Sequence, residues 1–229
     1  MRGTICTMET RLDVSAAVGE PATLAATVYP AATPDPGVLV CLPGGTYNRG
    51  YWHFEAPGHT GYNFAEYASQ RGFSVVAVDP LGTGDSSRPA RDIDLPDIAA
   101  ALAAAIAAVP EVAGTARRPI VVAGWFHLPD VPAAVVEADH ATTLSVVPRR
   151  FGAAAVPGIT ADEAALVDVP VFLGYGAVDV SPDPAAEAGF YRRSPEVTTM
   201  VLESSGHCHN MASTRRRLWD RLLAWAARP

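Results

Sequence analysis

Apolar positions run along the chain in two patterns. Short continuous runs, VLVCL (38–42), FSVVAV (73–78), PIVVA (119–123), PVFLGY (170–175) and TTMVL (198–202), carry no polar alternation. A strand covered on both faces reads this way, so each predicts a buried parallel strand. Between them lie segments with helical spacing. Residues 62–70 place Phe64, Tyr67 and Ala68 on one side, and Gly72 stands where a helix-ending glycine belongs. Asp94 is a good N-cap for the alanine-rich stretch 95–109, with Pro110 expected to end it. Ser213 is expected to cap a last amphipathic helix with Leu218, Trp219, Leu222 and Trp225 turned inward. At the N-terminus, β-prone stretches 10–18 and 22–29 flank Gly19-Glu20 and predict an antiparallel hairpin. Residues 31–37 are a proline-rich loop.

Strands alternating with helices predict βαβ units, right-handed crossovers and one mostly parallel sheet. The expected fold class is α/β, a three-layer α/β/α sandwich in a single domain over 1–229. The stretch 125–169 is less regular. A short helix is expected at 131–138 and a short strand or extended segment at 142–147. Pro129, Pro132, Pro148 and Pro157 interrupt it, so 125–165 reads as a short lid or cap.

Composition narrows the class. Apolar residues make up 49% of 229 and charged residues 18%, which excludes a disordered chain. The formal charge is −7, without the basic face that a nucleic-acid binder needs. All 17 basic residues are arginine, which we read with the many alanines as coding bias. Three cysteines, Cys6, Cys41 and Cys208, have no framework spacing and point to a reducing compartment. The first residues lack the apolar stretch of a signal peptide, and the longest uncharged apolar run, 98–110, is too short to span a bilayer. The expectation is a cytoplasmic protein with a small hydrophobic substrate as its partner, no nucleic acid and no membrane; a homodimer is left open.

In parallel sheets ligands bind beyond the C-terminal strand ends, and four of these ends hold unusual residues. Pro43-Gly44-Gly45-Thr46-Tyr47 can turn backbone N–H groups of Gly45 and Thr46 toward an oxyanion, or be a plain tight turn. The loop 79–87, DPLGTGDSS, lacks both phosphate-binding glycine motifs and reads as structural. Asp179 follows the PVFLGY strand and can orient a histidine, although taken alone it is an ordinary turn aspartate. Ser205-Gly206-His207-Cys208-His209 follows TTMVL and offers a general base. Two histidines two apart point to opposite sides of an extended segment, so no metal site is expected, and no cofactor.

Taken together, the order is hairpin, strand with P-G-G, strand with D-x-L-G-x-G-x-S, strand with G-x-x-D, strand with G-H. It resembles the α/β-hydrolase fold of serine esterases, lipases and related hydrolases, over about 10–124 and 166–227. The resemblance implies His207 as catalytic histidine, Asp179 as the acid that holds it, and Gly45 and Thr46 as oxyanion-hole donors. Tyr47, Tyr51 and Trp52 would lie near a pocket mouth, and Tyr47, Trp52, Trp125 and Phe126 are the candidate substrate contacts; the alternative for each of these aromatics is a plain core position. The implied activity is hydrolysis of a small hydrophobic ester, lactone or similar acyl compound.

One departure stands out. The family carries its nucleophile on G-x-S-x-G directly after the third buried strand. Here the sequence is Gly124-Trp125-Phe126-His127-Leu128, with Phe126 at the nucleophile position, and no G-x-S-x-G occurs elsewhere. Two explanations follow: a segment missing between Gly124 and Trp125, which we favour because a pure scaffold has no need of both Asp179 and His207, or a complete chain that uses the fold without a serine, in a binding or cyclase-like role. With Leu128 and Pro129 in place, no elbow helix is expected to begin at 125.

Overall fold

The computed structural model describes residues 6–33, 37–113, 120–122 (backbone), 131–148, 150 and 158–228. The residues fall into two compact units, one of Met1–Ala123 with Ala134–Ala153, the other of Gly124–Ala133 with Ala154–Pro229.

The first unit holds a five-stranded sheet in the order β1-β2-β4-β3-β5: β1 Met8–Asp13, β2 Thr23–Tyr29, β3 Gly37–Cys41, β4 Phe73–Val78 and β5 Ile120–Val122. β3 pairs in parallel with β4 and β5, while β1–β2 and β2–β4 are antiparallel. Every residue of β3 and β4 is buried, as their continuous apolar runs require. Side chains alternate across the sheet. Leu24, Ala26, Val28, Val38, Val40, Val76 and Val78 meet Ile98, Ala101, Ala105 and Val109 of helix α3 (Leu95–Ala113) on one face. Helix α2 (Phe64–Ser69) packs on β4. Asn63 caps α2 through the Glu66 N–H at 2.8 Å.

Two expectations shift here. The hairpin forms, but residues 15–18 coil into a helical turn, α1 (Ser15–Val18), because Asp13 Oδ1 accepts both the N–H and the hydroxyl of Ser15 and turns the chain out of the strand. Asp94 caps α3 as expected, accepting from the Asp97 N–H at 3.2 Å. The helix then continues past Pro110 to Ala113. A proline this close to the C-terminus interrupts the ladder within the last turn only. By length and composition α3 could cross a membrane, yet its apolar stripe belongs to the core cluster of this unit.

In the second unit β6 (Val171–Gly176) pairs in parallel with β7 (Val197–Leu202). These two pair with each other among the described residues; the expected single sheet containing all five apolar runs would run through a connection of which residues 123–130 and 151–157 lie outside the described residues. The described part of that connection holds helices α4 (Ala133–Thr142) and α5 (Ala161–Ala164). The expected extended segment at 142–147 contributes one isolated bridge, Leu144 to Tyr47. Helix α6 (Pro184–Glu187) follows β6. The last helix, α7 (Arg215–Ala226), buries Leu218, Trp219, Leu222 and Trp225 as its spacing predicted. Its N-cap is Thr214, not Ser213, and the Thr214 hydroxyl donates to the Glu203 carbonyl at 2.8 Å, tying the helix start to the end of β7.

Candidate functional site

The C-terminal ends of β6 and β7 bring Asp179 and His207 together. β6 ends at Gly176, where an added Cβ would fall 2.3 Å from the Ser205 carbonyl oxygen and 2.4 Å from that of Gly206. Only glycine admits the two loops this closely. The Ala177 N–H then donates to the Leu202 carbonyl at 2.9 Å and the Val178 N–H to that of Ser205 at 3.1 Å. Beyond His207, Cys208, His209, Asn210 and Met211 are buried, and the Trp219 indole N–H of α7 donates to Asn210 Oδ1 at 2.8 Å. The loop that bears His207 is thus held from both sides within its own unit.

Asp179 Oδ1 lies 2.5 Å from His207 Nδ1, well inside the reach of a catalytic hydrogen bond. The Asp179 side chain has no exposed surface, that of His207 is 24% exposed and that of His209 is 7% exposed. Burial opposes the charge on Asp179, but hydrogen bonds from His209 and from the Gly176 and Val180 N–H groups, with the nearby His207 ring, hold its carboxyl well below the usual carboxylate range. Burial lowers the His207 pKa from the usual imidazole value, and the attraction of Asp179 offsets this in part. An imidazole donating Nδ1–H to a carboxylate presents Nε2 as an acceptor on its far side, the arrangement of a general base.

The segment 207–209 is not extended. The His209 N–H donates to the His207 carbonyl at 3.0 Å, and this tight turn places His209 Nε2 3.1 Å from Asp179 Oδ2. The expectation that the two rings face opposite sides is therefore corrected: both address one carboxylate, with ring centroids 5.8 Å apart. The donor atoms of Asp179, His207 and His209 lie within 4.8 Å of one another, a set that a divalent cation could use. Each carboxylate oxygen already accepts two hydrogens, however. Oδ1 takes His207 and the Val180 N–H (2.7 Å), and Oδ2 takes His209 and the Gly176 N–H (2.7 Å). This pattern suits protons rather than a metal.

In the first unit the P-G-G-T-Y segment forms a strained turn. Thr46 has φ 72°, a left-handed conformation that β-branched residues avoid. The Ser145 N–H donates to its carbonyl at 2.7 Å, and the Tyr47 N–H to that of Gly44 at 3.2 Å. Among the described residues no hydrogen bond engages the Gly45 or Thr46 N–H. Tyr47, Tyr51 and Trp52 depart from their expected place at a pocket mouth. All three are core residues in edge-on and tilted ring contacts that continue to Phe64. Trp125 and Phe126, with the junction after Gly124, lie outside the described residues.

The Tyr47 hydroxyl donates to Asp139 Oδ2 at 3.1 Å, and Thr143 Oγ1 donates to Oδ1 of the same buried carboxylate. Sequence reasoning missed Asp139. The available signal was its helical spacing from Val135, which puts an acid on the apolar side of α4. Tyr47→Phe takes one donor from this carboxylate, and we expect about 1–3 kcal/mol less stability, read as a lower urea midpoint at unchanged slope. An unchanged midpoint would show that the contact carries no weight.

Residues 39–125 match the model of the alpha/beta hydrolase family. The match ends before Asp179 and His207. The sequence finds no match among curated proteins. Among solved structures, DcsB in complex with its substrate analogue is similar at TM-score 0.69 and 12% identity, over 96% of this chain and 98% of that one. E-2-(acetamidomethylene)succinate hydrolase is similar at 0.67 and 16%, over 96% and 98%. An esterase of Pyrococcus furiosus is similar at 0.63 and 14%, over 96% and 89%. Identities this low establish the α/β-hydrolase fold and leave the substrate unassigned.

Proposed function

We propose that this chain, an α/β-hydrolase-fold protein, hydrolyses a small hydrophobic ester, lactone or similar acyl substrate, with His207 as general base and Asp179 as its orienting acid. The observation that carries the reading is the 2.5 Å pairing of His207 Nδ1 with the fully buried Asp179 carboxylate. It fixes one imidazole tautomer and supports the positive charge that forms when Nε2 takes a proton. The Gly45 and Thr46 N–H groups are the oxyanion donors in this reading, supported by the left-handed turn at Thr46. Cys6, Cys41 and Cys208 form no disulfide, in keeping with the cytoplasmic setting of this reading.

Phe126 stands where the family carries serine, so this reading assigns no side-chain nucleophile, and water is one group that His207 can activate. A base so placed removes the water proton as oxygen attacks the acyl carbon, then returns it to the leaving alcohol. The route we favour is a serine on a segment missing between Gly124 and Trp125, supported by Gly124 at the motif's first glycine and by the presence of both Asp179 and His207. The third reading is a protein that carries out no hydrolysis.

p-Nitrophenyl butyrate and a fluorophosphonate probe, applied to this chain and to the full-length gene product, separate the three. Turnover by this chain without labelling supports water attack, labelling of the full-length product alone supports the missing serine segment, and neither turnover nor labelling in either folded protein overturns hydrolysis. Because His207 is depressed below the ordinary imidazole value of about 6.5 and acts as the neutral base, kcat/KM should rise with pH through a single ionisation below that value. A rate that climbs first above neutrality would remove His207 from the role.

A further inference from the structure

Asp179 meets two imidazoles, and the proposed reaction uses one. His209 is almost fully buried, and a buried ring N–H needs an acceptor. Its acceptor is Asp179 Oδ2, the oxygen that His207 does not use. The other two donors to this carboxylate, the N–H groups of Gly176 and Val180, come from the aspartate's own loop and move with it. His209 comes from the loop that bears His207. Among the described donors it is the one, besides His207 itself, that ties the carboxylate to the loop of the base.

Terminal carboxylate torsions are broad and roughly two-fold, so an aspartate held only from its own loop can rock about its Cβ–Cγ bond. A donor on Oδ2 from the opposite loop opposes that rocking and keeps Oδ1 aimed at His207 Nδ1. The main chain that presents the His209 ring is held in turn by the hydrogen bond from the His209 backbone N–H to the His207 carbonyl. Rings and carboxylate form a closed circuit: His207 side chain, Asp179, His209 side chain, and the backbone from 209 to 207.

We infer that His209 is a positioning residue, a second histidine that clamps Asp179 so that the acid presents one fixed oxygen to the base. The catalytic consequence rests on the function proposed above; the clamp itself does not.

The test compares His209→Gln with His209→Asn. Glutamine puts its amide nitrogen near the place of the ring Nε2 and can still donate to Oδ2, whereas asparagine puts it near Nδ1 and falls short. The first readout is the downfield proton resonance of His207 Nδ1–H, which needs no substrate. It should be sharp in the unsubstituted protein and in His209→Gln, and broadened or lost in His209→Asn. The second readout is ester turnover, where His209→Asn should lose about tenfold in kcat at nearly constant KM and His209→Gln should recover most of it. Should His209→Asn not fold, His209→Ser takes its place. A His207 resonance unaltered in His209→Asn or His209→Ser, or a glutamine no better than asparagine, overturns the clamp. If the resonance responds but no variant turns over ester, the hydrolytic reading falls and the clamp stands.

Discussion

Asp179→Asn should lower kcat for p-nitrophenyl butyrate by about 10²–10⁴-fold, the range that a positioned general base contributes, with little change in KM. The replacement is nearly isosteric, and the amide oxygen can still accept from the Gly176 or Val180 N–H, so the loop after β6 keeps its turn. What changes is the partner of His207. The present carboxylate oxygen accepts Nδ1–H, whereas an amide NH₂ turned toward the ring favours the opposite tautomer and gives no charge to support the imidazolium. The same substitution reaches stability through pH. The Asp179 carboxyl is held below its ordinary value in the folded protein, so its contribution is fully present above the unfolded value of about 3.9 and is lost as pH falls through the lower folded one. Unfolding curves of the two proteins should therefore differ most at neutral pH and converge in strong acid. A kcat within threefold of the unsubstituted protein would remove Asp179 from the machinery.

How much of this was legible beforehand depended on whether a residue's neighbours in sequence are also its neighbours in space. VLVCL and FSVVAV announce buried strands because a chain covered on both faces has no polar alternation, and residues 38–41 and 73–78 lie fully buried in the sheet. Asp179 and His207 were legible because each follows a strand beside glycine, and parallel neighbours place those ends side by side. His209 was misplaced because extended alternation was assumed, while the turn at His207–His209 is set by the buried loop around it. Tyr47 and Trp52 were misplaced for another reason: an aromatic needs an apolar surrounding whether it lines a cleft or fills a core. Helical spacing from Val135 puts Asp139 on the apolar side of α4, but spacing does not name its partners, which come from Tyr47 and Thr143.

The loop 79–87 was read as structural, and its energetics make the other large expected effect. Asp79, at the end of β4, has no exposed side-chain surface. Its Oδ1 accepts the Arg49 N–H at 2.6 Å, and its Oδ2 accepts the Asp85 N–H at 2.9 Å together with the Arg49 guanidinium. One carboxylate thus joins the strand end, the loop after it and the start of the 3₁₀ turn 49–53. Asp79→Ala leaves two backbone N–H groups without this acceptor and takes from Arg49 its buried counter-charge; Asp85 and Glu9, both well exposed, remain to it. Breaking a buried pair from one side costs about 3–5 kcal/mol, and we expect a loss of that size in urea unfolding followed by tryptophan fluorescence. Gly84 supplies an internal control. It has φ 51°, and an added Cβ would fall 2.1 Å from Asp79 Oδ2. Gly84→Ala should be severe alone and distinctly milder in the Asp79→Ala background, where the obstructing carboxylate is gone and backbone strain is what remains. Such neighbours couple by about 0.5–3 kcal/mol in a double-mutant cycle. Strictly additive costs, or an Asp79→Ala loss below about 1 kcal/mol, would mean that this carboxylate does not hold the loop.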